Sequence, residues 1–441
     1  MDWIQLLSAN RVGSQPSEQT LTRSAFEQDY DRIIFSHPFR RLQDKTQVHP
    51  LPEHDFVHTR LTHSLEVSSV GRSLGRKTGE IILQRHASLR PLFSLVDFGS
   101  IVAAASLAHD LGNPPFGHAG ENAISDFFRE HPMSPELKSM VDDRQWEDLI
   151  HFEGNAQGFR IMNKNRYGLK LTAASLGAFT KYPCASLVPA RDKSRKSQKK
   201  FGFFESEREV FAQIASQLGL IQYSDVSWCR HPLAFLVEAA DDICYSIIDL
   251  EDGCSLGLVP YDEARMLFGN IITRSKNKLG KLSYLNTREE KIGFLRALAI
   301  SDLTEECASI FLDHEKEILS GTFDRSLVGE SRVSEGLKSI IQVSVAKIYQ
   351  ARHVAEIEAT GHEVLPGLMA EFVRTGFHIM RGSDSRKYRN LVLLLPADAV
   401  PAIQESNGDV YKMLRQITDF VSGLTDRHAL SLYRKIKGIG S

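Results

Sequence analysis

Ile101-Val-Ala-Ala-Ala-Ser-Leu-Ala-His-Asp-Leu111, followed at once by Gly112-Asn-Pro-Pro115, decides how this chain is read. An Ala-rich apolar run of that length fits a buried helix, and Gly112, Asn113, Pro114 and Pro115 stop it. The stop matters because neighbouring helical residues point roughly 100° apart. His109 and Asp110 therefore reach one shared ion only near a helix end, where the backbone turns away.

Two other segments carry the same chemistry. His63 sits early in a helix predicted over Thr62 to Arg85, with Arg60 three residues before it and Glu66 and Val67 three and four after, so these share a face. In the helical pattern from Pro232 to Asp252, Asp241, Tyr245 and Asp249 follow at four-residue steps, while Ile243, Ile247 and Leu250 form the opposite, apolar face. A single His-Asp pair is most often a cap or a core arrangement. Three separated elements, each able to deliver a ligand to one pocket, point instead to a metal centre. Imidazole plus carboxylate suits a borderline or hard divalent ion, and the paired thiolates of a structural zinc site are missing, so a catalytic ion is expected.

At these residues the chain resembles the HD-domain superfamily of metal-dependent phosphohydrolases, whose pattern is H…HD…D. More narrowly, it is similar to the deoxyguanosine triphosphate triphosphohydrolase family. The segments that carry the resemblance are His58-Thr-Arg-Leu-Thr-His-Ser-Leu-Glu-Val67, His109-Asp-Leu-Gly-Asn-Pro-Pro-Phe-Gly-His-Ala-Gly-Glu-Asn122, His151-Phe-Glu-Gly-Asn-Ala-Gln157, Leu176-Gly-Ala-Phe-Thr-Lys-Tyr-Pro183, Glu238-Ala-Ala-Asp-Asp-Ile-Cys-Tyr245 and Asp419-Phe-Val-Ser-Gly-Leu-Thr-Asp426. The resemblance implies an all-α, HD-domain helical phosphohydrolase fold with a helical C-terminal extension. It also implies one divalent metal ion held by His63, His109, Asp110 and Asp241, the last rather than Asp242 because it lies four residues before Tyr245. Mn2+ or Mg2+ is expected, and such donors admit Co2+, Ni2+ or Fe2+ as well.

The resemblance makes His118 and Glu121 the catalytic histidine and its partner acid. Chemistry agrees, since an imidazole beside a bound phosphate can shuttle a proton and a carboxylate one helical turn on can fix its tautomer. Members of the family cut at the α-phosphorus and release deoxynucleoside and inorganic triphosphate. A triphosphate carries about four negative charges and needs several cations near it. Arg60, Lys181 and Lys200 would supply them, with Tyr182 alongside. Tyr245 would pack against the deoxyribose where a 2′-hydroxyl clashes, and Asp249 would accept from the 3′-OH. Gln47 and Val48 match residues beside the base. His151, Glu153 and Asn155 would open a helix lining the pocket, and Arg386 would reach in from the C-terminal region. The family further implies a dNTP substrate, a homo-oligomer, commonly a hexamer, and regulation by single-stranded DNA or a nucleotide effector. Two rival readings are an HD nucleotidase or phosphodiesterase on another nucleotide, and a nucleotide- or DNA-binding regulator without catalysis.

Composition sets the outer bounds. The 441 residues exceed what a single core of ~250–300 usually holds, so a region 1–255 containing the catalytic domain (about 58–252) and a helical region 256–441 are expected, with a weak break near Gly253 to Pro260. The formal net charge of −2 gives no global field for nucleic acid or membrane. Five unpaired-looking cysteines, no basic signal start and no apolar stretch of ~18–20 residues fit a soluble cytoplasmic protein that does not enter a membrane. Within the basic run from Arg191 to Lys200, Lys193, Arg195 and Lys196 read as solvated loop charges. In the C-terminal region, helical spacing is read over Asp262 to Thr273, Thr287 to Ser320, Ser331 to Thr360 and Gly408 to Lys437, and the one hairpin expected lies around Asn165 to Leu171.

Overall fold

Helices make up nearly all the regular structure in the computed structural model of the chain, which describes residues 1–12, 23–46, 58–164, 168–192, 194–350, 352–382 and 385–439. Gln47, Val48 and Lys193 lie outside the described residues. The element that opens the site, α1 (Arg60–Arg85), starts where the Thr59 hydroxyl accepts from the Thr62 amide and Thr62 reaches back to the Thr59 amide. Next, α2 (Leu95–Ala108) opens on a reciprocal Ser94 and Asp97 cap and is buried on all sides from Ile101 onward. It ends three residues before Leu111, leaving His109 at its C-cap, so the expected helix end is present but earlier.

These two helices pack on a seam of small residues. A Cβ on Gly71 would meet Ser106 Oγ at 2.5 Å, one on Gly75 the Phe98 carbonyl oxygen at 2.6 Å, and one on Gly79 the Phe98 ring at 2.7 Å. The glycines therefore let the backbones of α1 and α2 approach, which fixes His63 opposite the end of α2. Further along come α3 (Gly117–Glu130), α4 (Gly154–Asn163), α5 (Pro232–Ser255), α6 (Arg288–Asp313), α7 (Arg352–Arg381), α8 (Val410–Ser422) and α9 (Asp426–Lys437). The apolar face read for α5 is buried, and the helix lies against α1, α2 and α6.

Three expectations need correction. The hairpin expected at 165–171 falls partly outside the described residues; from Gly168 to Leu171 the chain is turn and coil, and among the described residues the antiparallel strand pair is Gln222–Ser224 with Ser227–Trp228. There Trp228 packs edge-on to Phe203 and Phe211, an aromatic anchor for the pair. Second, the C-terminal patterns divide more than expected, with Ser344 passing into a π-helical turn, Val345–Tyr349, and a break at Gly423 between α8 and α9. Third, α7 does not stop at Thr360 but continues through Pro366 to Arg381. Its small residues serve contacts: Gly361 faces Phe116, Gly367 faces Tyr433 and Gly376 faces Met413.

Two hydrophobic clusters result. One runs from Trp3 to Ile348 and contains α1, α2, α5 and α6, so it continues past residue 255. The other joins Phe116, α3 and Trp146 to α7, α8 and α9. They are tied by charge as well, because Asp419 of α8 accepts from Arg160 Nε (2.8 Å), Arg160 Nη2 (2.9 Å) and Gln157 Nε2 (2.8 Å) of α4.

The α1 to α2 seam gives a direct test. In Gly75→Ala the new methyl meets backbone atoms that cannot swing aside, so the variant should lose about 1–3 kcal/mol, the usual cost of overpacking. Gly269→Ala, in the helix Tyr261–Ile271 with nothing within 4 Å of the new Cβ, should be neutral or gain roughly 0.5–1 kcal/mol. Denaturant unfolding of both variants checks the contrast.

Candidate active site

The end of α2 builds the centre. Ring nitrogen Nδ1 of His109 donates to the Ser106 carbonyl at 2.7 Å, which fixes the tautomer and leaves Nε2 free to ligate. His63 projects from α1 with its ring centroid 5.3 Å from that of His109. Ligand atoms of His63, His109 and Asp110 all lie within 4.8 Å of one another. Asp241 on α5 completes the group: its Oδ1 is 3.3 Å from His63 Nε2 and 3.5 Å from His109 Nε2. The four residues assigned from the sequence are thus brought together, and the two-imidazole, two-carboxylate donor set fits a divalent ion.

Electrostatics support that fit. Burial alone would raise the Asp110 carboxyl, but the Arg60 guanidinium, with His109 and His63 beside it, holds it at about 2. Asp241 is likewise kept below the usual carboxylate range by the two imidazoles, against burial. Both acids are therefore ready to ligate. Arg60, expected to meet phosphate, donates from Nη1 to Asp110 Oδ2 at 2.8 Å, while its buried Nε has no hydrogen-bond partner among the described residues.

Beyond the metal donors, α3 places His118 and Glu121 as anticipated. His118 is exposed, and its Nδ1 lies 2.7 Å from Glu121 Oε2. Glu121 is buried and accepts from the Gly154 amide at 2.7 Å through its other oxygen. Burial opposes its ionisation, yet His118 and Lys200 pull its carboxyl below the ordinary value. Lys200 Nζ is 4.0 Å from Glu121 and 3.1 Å from Glu153. Glu153 caps α4, which begins at Gly154, and Asn155 Nδ2 donates to it at 2.7 Å. His151 does not open that helix: it ends the preceding one, Asp143–Ile150, and its exposed ring pairs with Glu147 at 3.0 Å.

A second group of charges sits one turn before Asp241. Glu238 is buried and gathers Arg230 Nη1 (2.9 Å), Lys196 Nζ (3.0 Å) and Lys181 Nζ (3.5 Å). Those cations overcome burial and hold its carboxyl at about 2. Tyr182 is buried with Lys181 Nζ 5.8 Å from its ring centroid. Lys196 and Arg195 are not loose loop charges: Ser197 is anchored on Asp324, and Arg195 lies over the Tyr223 ring at 4.1 Å. Helical spacing could have exposed Glu238, three residues before Asp241, but no local pattern marks Arg230.

On the sugar side expected from α5, Tyr245 lies 5.8 Å, centroid to centroid, from Tyr349. The Tyr349 hydroxyl donates to Asp249, whose carboxyl is pushed up to about 7 by burial. Tyr349 lies in the π-helical turn 100 residues downstream and had no signal in the sequence. Arg386 is exposed at the start of the helix Arg386–Val392, and among the described residues no hydrogen bond or ion pair ties it to this site.

Fold and donor set together define a metal-dependent phosphohydrolase of the HD class. The HD domain family matches residues 60–148, and the phosphohydrolase-associated domain matches residues 328–435. Over the full length of both chains, the protein is 43% identical to a deoxyguanosinetriphosphate triphosphohydrolase-like protein of Synechocystis sp.. It is 39% identical to one of Pseudomonas aeruginosa and 33% identical to one of Listeria monocytogenes, again over both full lengths. The chain belongs to the deoxyguanosinetriphosphate triphosphohydrolase-like family. No helix among the described residues is long and apolar enough to cross a membrane.

Removing single ligands should separate metal loss from fold loss. His109→Ala removes a half-buried ring whose other nitrogen donates to the Ser106 carbonyl, so bound Mn2+ should fall below a tenth while unfolding stability drops by only about 0.5–1.5 kcal/mol, the net worth of one hydrogen bond. Asp110→Ala should lose the metal and also about 3–5 kcal/mol, because Arg60 is left charged and buried without its partner. Metal analysis with denaturant unfolding reads both. Full metal occupancy in His109→Ala would reject His109 as a ligand.

Proposed function

We propose that the protein hydrolyses deoxynucleoside triphosphates, dGTP among them, to deoxynucleoside and inorganic triphosphate. The observation that carries this reading is convergence: the His118 and Glu121 pair meets Lys200, and Lys181, Lys196 and Arg230 meet Glu238 one turn from Asp241. A polyanion near the metal donors would find cations on two sides, already held by carboxylates. The family names of the relatives above support the same substrate class.

His63, His109, Asp110 and Asp241 would hold Mn2+ or Mg2+, and the bound ion would supply Lewis-acid polarisation of a phosphate. The remaining chemistry belongs to the chain. With Nδ1 committed to Glu121, His118 carries its mobile proton at Nε2, where it serves the attacking water and the departing 5′-oxygen. Lys181, Lys196 and Lys200 bind the phosphates, and Tyr182 packs beside them. Tyr245 and Tyr349 close the space around the sugar, with Asp249 facing the 3′-hydroxyl, while His151 and Asn155 flank the entrance. Gln47 and Val48 are assigned to the base, and Arg386 to a substrate contact from the C-terminal region. The HD catalytic domain, about residues 58–252, lies within the region 1–255 and is completed from the C-terminal region by Tyr349, and the working form is a soluble cytoplasmic homo-oligomer open to a DNA or nucleotide effector.

Incubation of the purified protein with each dNTP and Mn2+ or Mg2+, followed by chromatography, tests the reaction. Deoxynucleoside plus triphosphate is expected, whereas orthophosphate, pyrophosphate or no product overturns it. In the same assay His118→Ala should keep its metal and lose about 10²–10⁴ in kcat, the range for a positioned acid–base group. Turnover near wild type would reduce His118 to a surface residue.

A further inference from the structure

We infer that Asp426, the first residue of α9, is a positioning residue that holds the catalytic turn ahead of His118, so that the C-terminal helices complete the active site. This rests on the reaction proposed above for its kinetic part only. The Asp426 carboxylate is buried, and each oxygen has its own task. Oδ1 accepts from the Phe116 amide at 3.0 Å, across 310 residues of sequence, and Oδ2 accepts from the Thr46 amide at 3.0 Å and from the Thr46 hydroxyl.

Lys45 repeats the connection one residue earlier. Its buried ammonium donates to the Asn113 carbonyl in the turn and, at 3.0 Å, to the Ser422 carbonyl at the end of α8. Residues 45–46, the turn 113–116 and the junction between α8 and α9 are thus joined at one polar knot. On one side of it, Asn113 Nδ2 donates to Asp110 Oδ1. On the other, His118 follows Phe116 by two residues.

The turn needs this support. Phe116 has φ +64° and ψ +18°, a left-handed conformation that a bulky side chain rarely adopts, and Gly117 follows at φ +59°. Such residues persist where their surroundings over-determine them. Phe116 is also the N-cap of α3 and supplies no side-chain cap, so the first turn that carries His118 is not fixed from within. Its ring is seated against Gly361 of α7, and its amide is fixed by Asp426. Both restraints come from the C-terminal region.

Asp426→Asn tests the assignment, because an amide presents only one acceptor oxygen and turns a donor toward the other amide. Relative to wild type, kcat should fall about 10- to 100-fold, the scale of one lost charge-assisted hydrogen bond. Mn2+ content and the Kd for inorganic triphosphate should stay within twofold. Hydrogen exchange in the peptide covering 112–119 should accelerate at least tenfold. Tyr433→Phe, which removes the bond from α9 to Glu363 of α7, should leave kcat unchanged and marks general loosening of α9. Unchanged kcat and exchange in Asp426→Asn, or a kcat loss that merely follows metal loss, overturns the inference. If Asp426→Asn does not fold, Thr46→Val, which deletes one donor, carries the same measurements: a threefold or greater drop in kcat at full metal supports the inference, and no change rejects it. A wild-type protein inert toward every dNTP defeats the proposed reaction, and the exchange measurement then decides the positioning role by itself.

Discussion

A helix that ends inside a protein must find donors for its last carbonyls, and at the end of α2 that demand organises the site. Water does not reach the buried Ser106 to Leu111 stretch freely, so the chain supplies its own donors. The His109 ring takes the Ser106 carbonyl, the Asn113 amide takes the Asp110 carbonyl, and Lys45 takes the Asn113 carbonyl. Satisfying the helix end therefore orients the ring proposed to ligate, and it commits the turn that leads to His118. The glycine seam on α1 is the complementary constraint, since it brings His63 within reach of that end. Structural and chemical requirements fall on the same few residues.

Charge is stored in the pocket in paired form. Burying a lone ammonium or carboxylate is expensive, whereas a buried charge with partners survives. Accordingly Lys200 rests between Glu121 and Glu153, and Arg230, Lys181 and Lys196 share Glu238. A polyphosphate entering such a site exchanges one set of anionic partners for another instead of recruiting cations from solvent. That arrangement keeps the cations positioned before substrate arrives, which is how a site of this type spends little on reorganisation.

Much of this was legible because it is local. His109 and Asp110 are next to a helix stop, Asp241, Tyr245 and Asp249 keep a four-residue step, and His118 and Glu121 are one turn apart, so periodicity alone sets each group on a face. What failed was non-local. The hairpin depends on Trp228 meeting Phe203 and Phe211, which no nearby pattern encodes. The helical pattern read from Ser331 stops at Thr360, whereas α7 runs on through Pro366, its packing on α3, α8 and α9 outweighing the local cost of the proline. Arg195 and Lys196 read as solvated because their partners, Tyr223, Asp324 and Glu238, are distant in sequence. The approach of Tyr349 to Asp249 and of Asp426 to Phe116 has the same character, one partner being legible and the other not.

That asymmetry bears on how the two halves of the chain are related. The residues proposed as ligands and as the proton-handling pair all lie before residue 250, and a reading by motif alone makes everything beyond it an appendage. Packing says otherwise: Phe116 belongs to the cluster built by α7, α8 and α9, while the metal donors stand on helices of the other cluster. The segment from His109 to His118 crosses from one to the other. Its two ends can keep a fixed separation only if the clusters keep theirs. The buried pairs of Asp419 with Arg160, and of Asp426 with Thr46, serve that registration better than apolar contacts would, since a hydrogen-bonded charge tolerates one alignment where hydrophobic surfaces tolerate several. Distance between the proposed metal donors and His118 is thus a property of the whole chain, and the C-terminal helices share in setting it.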